Sequence, residues 1–196
     1  MYKHLYDCFK HWWHGGMVYF YSDPHFADNE MKYIRHNYIG DEEQVARINT
    51  KIGKNDTIVF LGDIGDVSFI SKIRGYKVHI MGNHDTGATN YQRKIVDGKD
   101  NHLFDEVYEG VLAISDKIIL SHEPVNIPFM LNIHGHDHSK WQENNPQLLN
   151  VCAEHINYTP VSLKSIVESG ALKSIESIHR MTIDRAVVRK KKRNSK

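Results

Sequence analysis

Residues 57–63 read Thr-Ile-Val-Phe-Leu-Gly-Asp, and residues 77–85 repeat the plan as Lys-Val-His-Ile-Met-Gly-Asn-His-Asp. Each begins as a short run rich in β-branched and apolar residues, the pattern of a buried strand. Each then breaks at a glycine followed at once by carboxylate, amide or imidazole groups. Upstream, residues 17–22 (Met-Val-Tyr-Phe-Tyr-Ser) form a third such run and stop at Asp23-Pro24-His25, because proline cannot continue a ladder. Three buried strands that all end in polar side chains place the chemistry of this chain at one edge of a sheet.

Helices are expected between these strands. Asp41-Glu42-Glu43 puts acids in a first turn, which suits the helix dipole, and Val45, Ile48 and Ile52 follow at helical spacing up to Gly53. Residues 66–74 read as a short helix ending at Gly75, and residues 88–96 as another. The second half is richer in strand. Residues 104–108, 111–114 and 117–121 are expected to form a meander, with further strands over 131–134 and 148–152. Ser162 is a plausible N-cap for a helix through Glu168, with Gly170 as its stop. Leu172, Ile175, Ile178, Met181 and Ala186 give one more apolar stripe. Strand–helix alternation followed by paired strands predicts an α/β layered fold.

The 196 residues suit one domain, with 40% apolar and 25% charged residues as in an ordinary soluble globule. A single domain is expected over residues 1–188, with 1–16 as an N-terminal extension and 189–196 as a basic, frayed tail. No run approaches the roughly 18 apolar residues of a membrane-spanning helix. The first residues lack the apolar core and cleavage site of a secretory signal. Two distant cysteines, Cys8 and Cys152, make no metal-type pair and no disulfide framework. A cytoplasmic location without membrane contact is expected. The net charge of +1 hides an asymmetry. Residues 185–196 carry seven Lys/Arg and no acid, leaving 18 basic against 24 acidic residues in the body. The chain is a mildly acidic globule with a basic end, not a uniformly basic nucleic-acid binder.

Fourteen histidines are many for a chain with so few cysteines, and they recur at strand ends. The first strand ends in Asp23 and His25, the second in Asp63, the third in Asn83, His84 and Asp85, the strand over 117–121 in His122, and that over 131–134 in His136 and His138. Ligand sites of open α/β sheets form beyond the carboxyl ends of strands. The set is nitrogen and oxygen only, which suits divalent ions of the Mn, Fe, Zn or Ni kind. Burying it without cations would be costly. Any one of these residues alone would more often be a turn former or a solvated side chain; the joint set carries the reading.

In order, the motifs D-x-H, GD, GNHD, H and GHxH, spanning residues 23–138, resemble those of the calcineurin-like metallophosphoesterases, and most closely their small, cap-less bacterial and phage members. The resemblance implies a four-layer α/β/β/α sandwich, two mixed sheets flanked by helices. It implies a metal-dependent phosphoesterase with two divalent transition-metal ions, manganese foremost and iron, zinc or nickel as alternatives. Asp23, His25, Asp63 and His138 would hold one ion. Asp63, Asn83, His122 and His136 would hold the other, so Asp63 bridges. A hydroxide between the ions would attack phosphorus, His84 would protonate the leaving oxygen, and Asp85 would orient His84. Arg35, ten residues past the first motif, is the candidate phosphate contact, beside the bland reading of a surface arginine.

Other readings stand beside this one. The same site could serve a nucleotide pyrophosphohydrolase or a phosphomonoesterase. A non-catalytic scaffold would typically have lost ligands, whereas every position here is filled. Lys190 to Arg193 could grip nucleic-acid phosphates, though such runs are more often solvated ends. The expected partner is a phosphate-ester substrate, with nucleotides and nucleic acids in view, and the oligomeric state is open. Trp12 and Trp13 are expected to pack the extension on the body rather than form a lid or a stacking platform. His134 shares a strand face with His136 by alternation and is a candidate second-sphere residue.

Overall fold

The computed structural model describes residues 4–35, 37–85, 103–139 and 144–175. The helix expected over 88–96, the end of the last apolar stripe and the basic tail lie outside these residues. The strands are β1 (Val18–Tyr21), β2 (Thr57–Phe60), β3 (Tyr76–Ile80), β4 (Glu106–Tyr108), β5 (Leu112–Ala113), β6 (Ile118–Leu120), β7 (Leu131–His134), β8 (Leu148–Asn150) and β9 (Val161–Ser162). The helices are α1 (Met31–Ile34), α2 (Asp41–Lys51) and α3 (Leu163–Glu168).

Two mixed sheets carry the fold. The first has the order β4-β3-β2-β1-β9, and the second β5-β6-β7-β8. In the first, β1 to β4 run parallel and β9 closes the edge antiparallel. In the second, β6, β7 and β8 run parallel and β5 antiparallel. Alternation along the strands divides the core. Val18, Phe20, Val59, Val78 and Ile80 meet Ile118, Leu120, Leu131 and Ile133 in one cluster between the sheets. On the opposite face, Tyr21, Ile58 and Phe60 pack with Val45, Ile48 and Ile52 of α2. The first sheet is therefore covered on both faces, which is why its strands read as near-continuous apolar runs. The described residues make three layers, helix on sheet on sheet. A helical layer over the outer face of the second sheet, needed for the four-layer expectation, is not found among them.

One expectation is corrected and two details are added. Residues 104–121 do not form one meander: β4 joins β3 in parallel in the first sheet, while β5 and β6 pair in the second. The chain changes sheets at Gly110, whose φ of 74° is the left-handed region that favours glycine. Residues 66–74 form a 310 helix, Val67–Lys72, because the Asp66 side chain accepts from the Ser68 N–H and tightens the first turn. The pair Val161–Ser162 was not expected as strand; it adds to β1 just before Ser162 caps α3 through a bond from the Ser165 N–H at 3.0 Å.

The N-terminal segment is part of the body. Leu5, Phe9 and Trp12 are buried in the inter-sheet core, and Thr57 Oγ1 donates to the Trp12 carbonyl at 2.6 Å. Burial of side chains this size contributes about 1.5–3 kcal/mol each, enough to hold a 310 turn, Asp7–Trp12, in place. Trp13 is left partly exposed.

Candidate metal centre

All the strand-end residues singled out above lie along the carboxyl ends of β1, β2, β3, β6 and β7, and Arg35 follows α1. The backbone bends sharply there. Among the described residues, eight non-glycine residues have positive φ, and four of them are Asp23, His25, Asp63 and His136. Such conformations cost of order 1–3 kcal/mol each and persist where the surroundings over-determine them. Gly135 allows the approach of β7 to β1: a Cβ there would collide with Ser22 Oγ and the Asp23 carboxylate.

Two groups of ligand-type atoms result. Asp23, His25 and His138 form the first, and Asp63, His122 and His136 the second. In the first, Asp23 Oδ1 lies 3.8 Å from His25 Nε2 and 3.7 Å from His138 Nε2. In the second, Asp63 Oδ2 lies 3.3 Å from His122 Nε2, and Asn83 Oδ1 lies 2.8 Å from His122 Nε2 and 3.0 Å from His136 Nδ1. His25 Nε2 is 3.7 Å from Asp63 Oδ2, so this one carboxylate oxygen faces both groups.

The electrostatics of the two groups demand positive charge. Asp23 is fully buried. Its Oδ2 is saturated, accepting from Ser22 Oγ at 2.5 Å, the His136 N–H at 2.9 Å and Cys152 Sγ at 3.2 Å. Its Oδ1 has no hydrogen-bond partner, and neither has the buried His25 Nε2 that it faces. Two orphaned buried atoms directed at a common point are the feature a bound cation would resolve. Ligand atoms bonded to one ion at about 2.1 Å stand roughly 3.0–3.6 Å apart, close to the separations here. In the second group, His122 Nδ1 lies 2.8 Å from the Leu61 carbonyl and must carry a hydrogen. Its Nε2 is then a lone pair turned toward the Asp63 carboxylate unless a proton or an ion lies between. Burial works against charge on His122, but the Asp63 hydrogen bond and the Asp23 and Asp63 carboxylates outweigh it and push it up to about 9. Burial would raise Asp23, yet the His25 imidazole, the charges of His122 and His138 and the Ser22 hydroxyl hold it well below the usual carboxylate range. The donor set therefore fits divalent cations.

Other singled-out residues lie differently. His84 is at the rim with its side chain 68% exposed, its Nε2 4.0 Å from Asp63 Oδ2 and its N–H donating to Asp63 Oδ1. Asp85 does not reach for His84. Its carboxylate is buried beneath the loop and accepts from the N–H groups of Asp63, Gly82 and Ile64 at 2.8, 2.8 and 3.1 Å, with His79 Nε2 3.2 Å away. Arg35, expected to touch phosphate, is instead buried behind the first group. Its Nη2 donates to the Asp23 carbonyl at 2.6 Å and its Nε pairs with Glu154 at 3.2 Å. His134 joins neither group. The left-handed turn at His136 breaks the alternation that would have put the two on one face, and burial keeps His134 below the ordinary histidine range.

Two participants were missed from the sequence. Cys152 donates to Asp23 from a buried site that pushes its thiol well up. Glu154 receives His138 Nδ1 at 2.5 Å. Both follow β8 (Leu148–Asn150), so the strand-end rule that found the others would also have pointed to them.

No family model matches the chain. The uncharacterized protein MJ1445 of Methanocaldococcus jannaschii is 28% identical over 175 residues, covering 77% of this chain and 89% of the relative. Among solved structures, the protein of unknown function AQ665 from Aquifex aeolicus is 22% identical, with a TM-score of 0.61 over 79% of this chain and 99% of its own. That likeness establishes a shared fold. The nuclease MPE of Pseudomonas putida is 19% identical with a TM-score of 0.40, over 61% of this chain and 59% of its own. So partial an overlap does not establish a shared fold. Among the described residues, no helix is long and apolar enough to cross a membrane.

Proposed function

We propose that this protein is a metal-dependent phosphoesterase that hydrolyses phosphate esters or diesters at a two-cation centre. The observation that carries the reading is the pair Asp23 Oδ1 and His25 Nε2, both buried, 3.8 Å apart and each without a hydrogen-bond partner. The five-motif resemblance to calcineurin-like metallophosphoesterases supports the same chemistry. Asp23, His25, His138 and Asp63 would hold one ion, and Asp63, Asn83, His122 and His136 the other; manganese is the first candidate. Cations bound there would neutralise the phosphoryl oxygens and acidify a water for in-line attack.

The remaining work falls to the chain. Asp63 offers one oxygen toward both groups and keeps the other for the His84 N–H, which sets the loop bearing His84. The exposed His84 imidazole can meet a substrate at the rim and give its proton to the leaving oxygen. Asp85 acts beneath, fixing the Asp63 and Gly82 backbones rather than the His84 ring. Arg35 acts on the Asp23 carbonyl from behind.

The test is metal analysis of the purified protein, then a phosphoester screen with Mn²⁺ supplied, comparing the parent with His84→Ala on nitrophenyl and nucleotide substrates. The expected result is Mn²⁺-dependent hydrolysis that falls about 10²–10⁴-fold in the variant, the range of general acid catalysis. Rates within a factor of two of the parent would remove His84 as the acid.

A further inference from the structure

We infer that Glu154 is a positioning residue of the metal centre: it fixes His138 with its hydrogen on Nδ1 and so turns the Nε2 lone pair toward Asp23 and His25. The inference rests on the metal-centre reading. His138 Nδ1 lies 2.5 Å from Glu154 Oε1, and an ionised carboxylate only accepts, so the ring must donate from Nδ1. In the neutral ring, the form that can bind an ion, the other nitrogen then has no hydrogen, and it is the one 3.7 Å from Asp23 Oδ1. A partner on the far ring nitrogen is the usual means of fixing which nitrogen of a histidine meets an ion.

Glu154 is itself held. Its Oε2 lies 3.2 Å from Arg35 Nε, and Arg35 Nη2 donates to the backbone carbonyl of Asp23 at 2.6 Å. Asp23, Arg35, Glu154 and His138 thus close a ring of contacts that returns to the Asp23 carboxylate. The Arg35 side chain is 1% exposed and that of Glu154 10%. A buried ion pair is expensive to desolvate and adds little net stability, so one placed directly behind two ligand-type residues is spent on orientation. Residues His138, Cys152 and Glu154 also form a ligand-type group of their own. Nδ1 and Oε1 stand at hydrogen-bond distance, whereas two ligands of one ion would stand about 3 Å or more apart.

The experiment uses the full chain, stripped with a chelator and titrated with Mn²⁺ by calorimetry, as the parent, Glu154→Gln and Glu154→Ala. In parallel, ¹⁵N NMR of the metal-free proteins at alkaline pH reads the His138 tautomer. The parent is expected to take up two equivalents. Glu154→Ala weakens one of them by about 10–100-fold, the usual effect of removing an outer partner, and leaves the other unchanged. Glu154→Gln, whose amide oxygen can still accept from Nδ1–H, falls between. The parent's His138 carries its hydrogen on Nδ1, and Glu154→Ala moves the population toward Nε2. Glu154→Ala binding both equivalents with the parent's affinities, both equivalents weakening together, or a parent His138 protonated on Nε2 would each overturn the inference. A parent that binds no Mn²⁺ overturns the metal-centre reading and this inference with it, and that outcome is seen before any variant is made.

Discussion

Asp23 and Glu106 are two carboxylates with crowded, histidine-bearing surroundings and opposite designs. Glu106, on β4, has donors for both oxygens. Its Oε1 meets His11 Nε2 at 2.6 Å, the Tyr76 hydroxyl at 2.7 Å and Trp12 Nε1 at 3.0 Å, while Oε2 meets the Tyr108 hydroxyl at 2.5 Å. Asp23 has three donors on one oxygen and none on the other. The comparison teaches how to tell a structural carboxylate from a ligand. A complete donor shell ties elements together, here the N-terminal segment to β3 and β4. A shell left open toward imidazole nitrogens asks for a cation.

The largest effect should come from Asp23→Asn. Its amide oxygen can keep the donors from Ser22, Cys152 and His136, and its NH₂ can face His25 and His138. The metal-free variant should therefore melt within about 1 kcal/mol of the parent, while Mn²⁺-dependent hydrolysis falls by more than about 100-fold, beyond what loss of an outer partner costs. Thermal melts and rate assays on one preparation check this, and a large stability loss would erase the contrast. Glu106→Gln should do the reverse. Leaving donors without a charged acceptor should cost about 1–3 kcal/mol in denaturant unfolding, with Mn²⁺ uptake unchanged.

The smallest effect is on pH dependence. Burial raises Glu106, but its hydrogen bonds from Tyr108, Tyr76, His11 and Trp12 outweigh this and hold it below the ordinary glutamate range. A carboxyl depressed in the fold contributes stability above its unfolded value, and the contribution is lost as pH falls through its folded value. Unfolding profiles should show the parent losing stability below about pH 4.3, with the Glu106 share of that loss absent from Glu106→Gln. Superimposable slopes would mean that Glu106 carries no such linkage.

What could be read in the sequence was position along the chain, and what could not was direction in space. Asp63, Asn83 and His122 stood out because each follows an apolar strand at its carboxyl end, where a parallel sheet must gather its loops. Asp85 and Arg35 make contacts other than those expected of them. The adjacency of His84 and Asp85 suggests a pair, whereas the turn sends Asp85 under the Asp63 backbone and leaves His84 outside. Arg35 reads as a phosphate contact or a surface cation until its guanidinium is seen between the Asp23 carbonyl and Glu154. Glu154 follows a strand too, yet it lies beyond the last motif, and its value comes from His138, which only folding brings beside it. The split of residues 104–121 between sheets escaped for a similar reason: strand pairing is a long-range choice that local alternation does not record.

The most direct measurement is anomalous diffraction from crystals of the parent soaked in Mn²⁺. Two peaks are predicted about 3.5–4 Å apart, one beside Asp23, His25 and His138, the other beside Asn83, His122 and His136, with Asp63 between them. Fully soaked crystals with no anomalous density at these residues would contradict the account.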